Sequence, residues 1–469
     1  MPSRPNILFL MTDHARALAL TKASGCRTPN LDALAADGRI FRRCYTTNAI
    51  CSPARASLMT GLYPSTHGVW DCTHTQRPEW VDVRCGRDQF FSTRLAEAGY
   101  RTGYFGKWHV EQSQRLGDFG WQEFDLGCSH APMKLDPASR ILVPKAGYRD
   151  YLFGGVDNSP QAPAHPAFDR GIDFLQRCAS DRTQPFCCFV STDEPHDSYV
   201  PPRAFQDLYD PATIPLSPTL HDEPDGKPDV VRRMRQEWLG VTDEQWRRIT
   251  IAYHAVVSYL DHEVGRIVQA LKANGQYDHT IIVFTSDHGD MLGSHGLITK
   301  GVGTAYEEVY NIPLVMRVPG APTGADDASH FVSLADLAPT LLDLCGASPL
   351  PQAQGRTLRP VLEGTAKDDE WQDAYAEFYG QRFVYTQRIT WHGNWKYIFS
   401  PAGIDELYDL ASDPHERVNL AADPQHRATL EAMCVRMWRR MRELGDTSLF
   451  ESHYATLRTA PVGPYAADA

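Results

Sequence analysis

At 469 residues, with 42% hydrophobic and 22% charged side chains, the chain has the composition of a soluble globular protein and exceeds a single ordinary core, so one large unit and one smaller one are expected. Its formal charge of −12 repels polyanions at long range, which argues against nonspecific binding to nucleic acid or acidic polysaccharide. No stretch approaches the roughly 18 uninterrupted apolar residues of a membrane span.

The apolar run Asn6–Met11 follows directly on Met1–Pro5. It is too short for the apolar core of a signal peptide, has no cleavage site after it, and reads as a first buried strand. Asn30–Asp37 follows Thr28-Pro29 and ends at Gly38, the pattern of a helix with Pro near its start and Gly at its end. Cys51 stands before Ser52, a good N-cap, and Pro53, suited to a first helical position, with Gly61 closing that helix. Ile7–Met11, Phe186–Val190, Thr280–Thr285 and Leu314–Val318 are short and apolar, as strands buried on both faces are, which implies a parallel sheet covered by helices. Residues 220–245 are charged and poor in strand signal, an expected excursion over the active-site face. Trp246–Ala273 carries apolar residues at helical spacing and stops at Asn274-Gly275. The order of elements predicts an α/β fold, a large and mostly parallel sheet sandwiched by helices. From about 371 the character changes. Ala374–Tyr379, Phe383–Trp391 and Trp395–Phe399 read as short aromatic strands around the turn His392-Gly393-Asn394, and Ala428–Leu444 as a helix. The expected domains are 1–370 (the large α/β unit), 371–445 (a small α+β unit with a short antiparallel sheet) and 446–469 (a polar tail).

Two of these strands end in the same dipeptide: Asn6–Thr12 runs into Asp13-His14, and Thr280–Ser286 into Asp287-His288. In an open α/β sheet, ligands gather beyond the carboxyl ends of the strands. Either pair alone reads as a turn or helix cap; two pairs at equivalent strand ends favour one shared metal site. Cys51 lies at a helix start, where free backbone amides can hold an anion, and Arg55 follows one turn later. On the residues alone Cys51 is a reactive thiol, with a cysteine hydrolase as the obvious candidate. The 11 cysteines are odd in number and irregularly spaced, with Cys187 and Cys188 adjacent. A reducing cytoplasm is therefore expected rather than a disulfide framework, with most of the thiols buried as small hydrophobes.

The run Cys51-Ser52-Pro53-Ala54-Arg55, continued by Ala56-Ser57-Leu58-Met59-Thr60-Gly61, resembles the signature of the formylglycine-dependent sulfatases of the alkaline phosphatase superfamily. The resemblance continues in family order through Arg27–Asp32, Gly106-Lys107-Trp108-His109, Glu194-Pro195-His196, Asp287-His288-Gly289 and Lys300-Gly301. It closes with Glu406–Leu410 and Asp413-Pro414, so it covers nearly the whole chain. It implies that Cys51 is oxidised to formylglycine by a dedicated generating enzyme that reads residues 51–55. It also implies one divalent metal, calcium by family default, held by Asp13, His14, Asp287, His288 and the modified Cys51. Arg55 and Lys107 would steady the formylglycine hydrate and neutralise sulfate charge. His109 would help the sulfated intermediate collapse, and His196 and Lys300 would contact sulfate and protonate the leaving oxygen. Among 18 histidines a lone one is more often a surface or packing residue, a reading that membership of a matching motif inverts. His295 also fits the pattern, with a structural role expected. The implied partners are a small-molecule sulfate ester and the generating enzyme, with no nucleic acid and no membrane; a homo-oligomer is compatible with all of this.

The chemistry of the family explains the residue choice. A hydrated aldehyde offers geminal hydroxyls, of which one attacks sulfur in line while the alcohol leaves. Loss of a proton from the other expels sulfate and restores the aldehyde, an exit that a Ser or Cys sulfate ester lacks. Two positions depart from the pattern. His14 stands where many members carry Asp or an amide; with His288 it gives two nitrogen donors, softer than the oxygen set calcium favours, so manganese competes. Where relatives often carry an Asn shortly after the turn matched by His67-Gly68, this chain has Asp71 and Cys72.

The nearest rival is a phosphonate monoester or phosphodiester hydrolase using the same nucleophile. Its relatives tend to replace the Lys and His of the Lys-x-His motif, both kept here as Lys107 and His109, which favours sulfate. The intact set of nucleophile, ligands and bases argues against a non-catalytic scaffold. A two-metal phosphatase or mutase would need a second ligand cluster, which no motif supplies. Residues 72–90, 128–165 and 220–245 are expected to line the pocket for the alcohol, whose identity the sequence leaves open.

Overall fold

The computed structural model describes residues 4–20, 24–75, 79, 81–450 and 458–468. Its frame is an eight-stranded sheet built from β1 (Asn6–Thr12), β2 (Arg39–Phe41), β3 (Arg101–Gly106), β4 (Glu123–Asp125), β5 (Phe186–Ser191), β6 (Thr280–Ser286), β7 (Leu314–Arg317) and β8 (Ala325–Asp327). Their order across the sheet is β8-β2-β7-β6-β1-β5-β3-β4. The stretch from β6 to β4 is parallel throughout, with Leu10 of β1 in register with Val190 on one side and Phe284 on the other.

The apolar run of β1 is continuous because both of its faces are covered. Ile7, Phe9 and Met11 point into one core with Cys187, Phe189, Ile281 and Val283; Leu8 and Leu10 point into another with Cys188, Val190, Ile282 and Phe284. This is the period-2 alternation of a strand, here with both sets apolar. Helices α2 (Cys51–Thr60) and α5 (Leu337–Cys345) pack on the first face; α1 (Pro29–Ala36), α3 (Pro166–Ser180) and α4 (Asp243–Ala273) pack on the second. The long α4 starts three residues before the expected Trp246, because Thr242 and Gln245 form a capping box that closes the first turn.

Beyond the sheet lie four antiparallel strands, β9 (Asp373–Gly380), β10 (Val384–His392), β11 (Trp395–Phe399) and β12 (Glu406–Asp409). Helix α6 (Arg427–Leu444) covers them through Met433, Met437, Trp438 and Met441. Two layers of this kind give each a face to bury. Among the described residues, no helix is long and apolar enough to cross a membrane, and none of the eleven cysteines is in a disulfide.

The structure corrects the sequence reading in four places. β7 runs antiparallel to both β6 and β2; an apolar run reports burial but not direction, which the connection decides. Helix α2 begins at Cys51 with Ile50 as its N-cap, and Ser52 instead accepts a hydrogen bond from the Thr73 amide at 3.1 Å. The small sheet gains a fourth strand, β12, whose short run Glu-Leu-Tyr-Asp gives only two alternations. Among the described residues of the expected tail, Leu449, Phe450 and Val462 pack against the α6 cluster instead of extending as a polar tail. Residues 220–245 carry a helix at Asp229–Gln236 whose Val231 packs with Met291, Leu297 and Val302.

Candidate active site

Four of the parallel strands deliver side chains at their carboxyl ends, the edge where open α/β sheets bind ligands. β1 ends at Thr12 and presents Asp13 and His14; β6 ends at Ser286 and presents Asp287 and His288; β3 leads into Lys107 and His109; β5 leads towards Asp193, His196 and Asp197. The turn after β3 requires glycine. Gly106 has φ +108°, and a Cβ there would lie 1.8 Å from the Ser191 carbonyl oxygen. Its absence lets the Lys107 amide donate to that same oxygen at 3.0 Å, which fixes the start of the Lys-Trp-His segment. Cys51 arrives from the other direction, as the first residue of α2.

One ligating atom from each of Asp13, Cys51, Asp287 and His288 lies within 4.8 Å of the others, and all four residues are buried. Cys51 Sγ is 3.3 Å from His288 Nε2 and 3.8 Å from Asp13 Oδ1. His288 Nδ1 lies 2.9 Å from the Gly289 carbonyl oxygen. A carbonyl only accepts, so Nδ1 carries a proton and Nε2 is the nitrogen that faces the carboxylates, the orientation a metal-binding imidazole needs. Two carboxylates, one imidazole nitrogen and residue 51 form a donor set that fits a divalent cation. Burial and Cys51 oppose ionisation of Asp13, but Lys107, His14 and His196 outweigh them and hold its carboxyl well below the usual range. Burial and Asp13 push Asp287 the opposite way. Two adjacent buried carboxylates of this kind call for a compensating positive charge.

His14 faces a different set of groups. Its Nδ1 lies 2.9 Å from Asp290 Oδ2, which also accepts from the Tyr199 hydroxyl at 2.7 Å. Its Nε2 meets Lys300 Nζ and lies 3.6 Å from Asp13 Oδ1. Lys300 Nζ also lies 2.9 Å from His196 Nε2, and His196 Nδ1 is 2.8 Å from the Asp197 carbonyl oxygen. One ammonium thus bridges two imidazoles. Burial, Lys300 and His196 hold His14 well below the ordinary histidine range.

Arg55 is fully buried and spans the site. Its Nε donates to Asp287 Oδ2 at 2.8 Å, and its Nη1 to Ser191 Oγ at 2.8 Å and the Lys107 carbonyl at 3.0 Å. Its Nη2 has no hydrogen-bond acceptor. Lys107 pairs with Asp13 and, at 2.6 Å, with Asp193 Oδ1. His74, Lys107, His109, Asp193, His196 and Asp197 line a cleft of about 570 Å³ over the buried cluster. A hydrogen bond from Cys72, with the charges of Lys300, His288 and Lys107, holds the Cys51 thiol well below its usual range although burial opposes this.

All of Cys51, Arg55, Lys107, His109, His196, Lys300, Asp13, His14, Asp287 and His288 therefore gather at one edge of the sheet or in the cleft above it. His295 stands apart, stacked on Tyr306 with ring centroids 4.1 Å apart, which accords with a structural role. The sequence reading missed Asp290, Tyr199, Asp193, Asp197, His74 and Arg382. Asp290, Asp193 and Asp197 lie within three residues of motif positions, so motif proximity could have flagged them. Cys72 lies against Cys51, and Asp71 beside it accepts from the amides of Cys72 and Arg382, both at 2.7 Å.

Comparison with known proteins decides the family. Residues 5–347 match the family model described as Sulfatase, and residues 293–443 match one described as N-sulphoglucosamine sulphohydrolase, C-terminal. The chain belongs to the sulfatase family. It is 31% identical over 454 residues to a choline-sulfatase of Rhizobium meliloti, covering 89% of this chain and 82% of that one. An uncharacterized sulfatase of Escherichia coli is 30% identical, covering 89% and 83%. Among solved structures, one in complex with its substrate D-glucosamine-2-N,6-O-disulfate superposes with a TM-score of 0.74 at 22% identity, covering 94% of this chain and 98% of that one. A phosphonate monoester hydrolase from Silicibacter pomeroyi superposes with a TM-score of 0.73 at 25% identity, covering 95% and 97%. The sulfatase fold is thus shared by enzymes named for sulfur and for phosphorus esters.

Proposed function

We propose that this sulfatase hydrolyses a sulfate ester with a nucleophile formed from Cys51 by conversion to formylglycine. The observation that carries the reading is the position of Cys51 Sγ, 3.3 Å from His288 Nε2 at the head of α2 and enclosed with Asp13 and Asp287. A side chain there is held against a cation site and beside the amides of a helix start. A divalent ion held by Asp13, Asp287, His288 and residue 51 would supply the Lewis acidity that makes a hydroxyl of residue 51 nucleophilic. His14, whose ring nitrogens meet Lys300 and Asp290, has a ligating atom within 4.8 Å of those of Asp13 and His196, so it stands as a further donor to that ion and orients Lys300. With His288 and His14 as nitrogen donors beside the carboxylates, manganese competes with calcium, the family default.

The chain's own residues do the rest. Arg55 and Lys107 are fixed before the ester arrives, so they stabilise the sulfuryl oxygens without reorganising as charge moves. Nη2 of Arg55, 3.8 Å from Asp13 Oδ2 and without a hydrogen-bond acceptor, is a buried donor for which an oxyanion supplies the acceptor. Lys300 and His196, joined at 2.9 Å, stand as the pair that delivers a proton to the leaving oxygen. Choline sulfate and sulfated sugars are the substrate classes that the matched relatives suggest; the cleft bears both charges and several rings.

The competing reading is hydrolysis of phosphonate monoesters or phosphodiesters by the same nucleophile, favoured by the superposition on a phosphonate monoester hydrolase. A side-by-side assay of an aryl sulfate and an aryl phosphonate ester, on one metal-loaded preparation, separates the two. The expected result is a higher kcat/KM on the sulfate, with slower turnover of the phosphonate. A preference for phosphonate by orders of magnitude would hand the site to the rival.

A further inference from the structure

The small sheet reaches into the cleft at the tip of its first hairpin. Arg382, between β9 and β10, has a left-handed backbone (φ +63°), and its amide donates to Asp71 Oδ2 at 2.7 Å. The neighbouring Gln381 abuts the loop that follows Lys300: a Cβ on Gly301 would lie 2.2 Å from Gln381 Oε1. The tip is thereby held between the segment carrying Cys72 and His74 and the segment carrying Lys300. From it the Arg382 guanidinium donates through Nη2 to His74 Nε2 at 3.0 Å, and His74 Nδ1 lies 3.3 Å from His109 Nε2.

The protons in this chain can be counted. A guanidinium has donors and no lone pair, so His74 Nε2 must accept. A ring whose Nε2 accepts has room for a single proton, and that proton must be on Nδ1; burial, His109 and Arg382 also hold His74 below the ordinary histidine range. His74 Nδ1 then donates to His109 Nε2. The two rings are parallel within 10° with centroids 5.5 Å apart, the arrangement of imidazoles sharing an in-plane N–H···N bond. His109 Nε2 is an acceptor in this arrangement, which puts the His109 proton on Nδ1. That atom is shielded from solvent and has no hydrogen-bond partner.

We propose that Arg382 and His74 are positioning residues that hold His109 as its Nδ1–H tautomer, a hydrogen-bond donor for the ester's anionic group. The proposal rests on the reading that a sulfate ester is hydrolysed in the cleft that His109 lines. Two buried N–H groups of this site lack acceptors, on His109 Nδ1 and Arg55 Nη2, and an oxyanion offers acceptors to both. The same count argues against two alternatives. Cys72, His74 and His109 bring ligating atoms within 4.8 Å of one another, but an ion there would need the His74 lone pair that accepts from Arg382. A proton taken up at His109 Nε2 would meet the Nδ1–H of His74. The small sheet therefore sets the tautomer of a cleft histidine from a residue remote in the sequence.

The test uses the full-length, metal-loaded enzyme labelled with ¹⁵N-histidine, in which long-range ¹H–¹⁵N couplings tell Nδ1–H from Nε2–H, with His109→Gln and His74→Gln used for assignment. The wild type should show His109 as a single Nδ1–H tautomer. Arg382→Leu should lose that single form and lower kcat on a sulfate ester about tenfold with little change in KM, while Arg382→Lys, which keeps a donor, should restore most of both. An Nε2–H tautomer in the wild type would overturn the proposal, as would equal losses in the Leu and Lys variants with the His109 signal unmoved. The tautomer is read without turnover. An enzyme inactive on sulfate esters but showing Nδ1–H at His109 would fault the functional reading and support the positioning.

Discussion

Asp287→Ala should abolish turnover by at least about a thousandfold and release the metal ion, read together as activity and as ions per chain by elemental analysis. Asp287 contributes in two ways. Its Oδ1 faces the His288 nitrogen at 3.7 Å, and its Oδ2 receives Arg55 Nε at 2.8 Å. Removing it leaves the cation undercoordinated and a fully buried guanidinium without its carboxylate, and breaking a buried pair is the costly direction. Asp287→Asn separates the two effects, because an amide can still accept from Arg55 while offering the ion no charge. Loss of metal in both variants with folding retained in the Asn variant is the expected pattern. Wild-type protein holding two ions per site would move the assignment to the two-metal phosphatases.

His196→Ala should lose about 10²–10⁴-fold on sulfate esters of alkyl alcohols and far less on nitrophenyl sulfate, since a nitrophenolate departs without a proton and an alkoxide needs an acid. The geometry adds a second arm. Lys300 Nζ touches His14 Nε2 as well as His196 Nε2, so Lys300→Ala removes the shared donor and should reduce activity on both ester classes. Equal losses on the two substrates in His196→Ala would take His196 out of the acid role and leave Lys300 as the acid.

What could be read from the sequence divides along a physical line. The main sheet was legible because β1, β5 and β6 are apolar on both faces, which only a covered sheet explains, and the site was legible where chemistry and strand ends coincide, at Asp13, Asp287 and His288. Local patterns carry no direction, so the reversal of β7 stayed hidden. The start of α2 was misplaced because Ser52, a good cap in isolation, is engaged by Thr73. Contacts that cross the fold were the hardest to foresee. The dipeptide Asp-His marks His14 as a candidate ligand, but its contact with Asp290 forms only once β1 and β6 lie side by side. Arg382 sits in Gln381-Arg382-Phe383, a turn with no motif, and reaches His74 from 308 positions away.

The central claim is the chemical identity of residue 51, and mass spectrometry of the tryptic peptide 44–55 from an active, metal-loaded preparation tests it most directly. Formylglycine makes that peptide lighter than its cysteine form by about 18 Da, and the modified fraction should rise in step with specific activity across preparations. Full activity in protein whose residue 51 is unmodified thiol throughout would contradict the account.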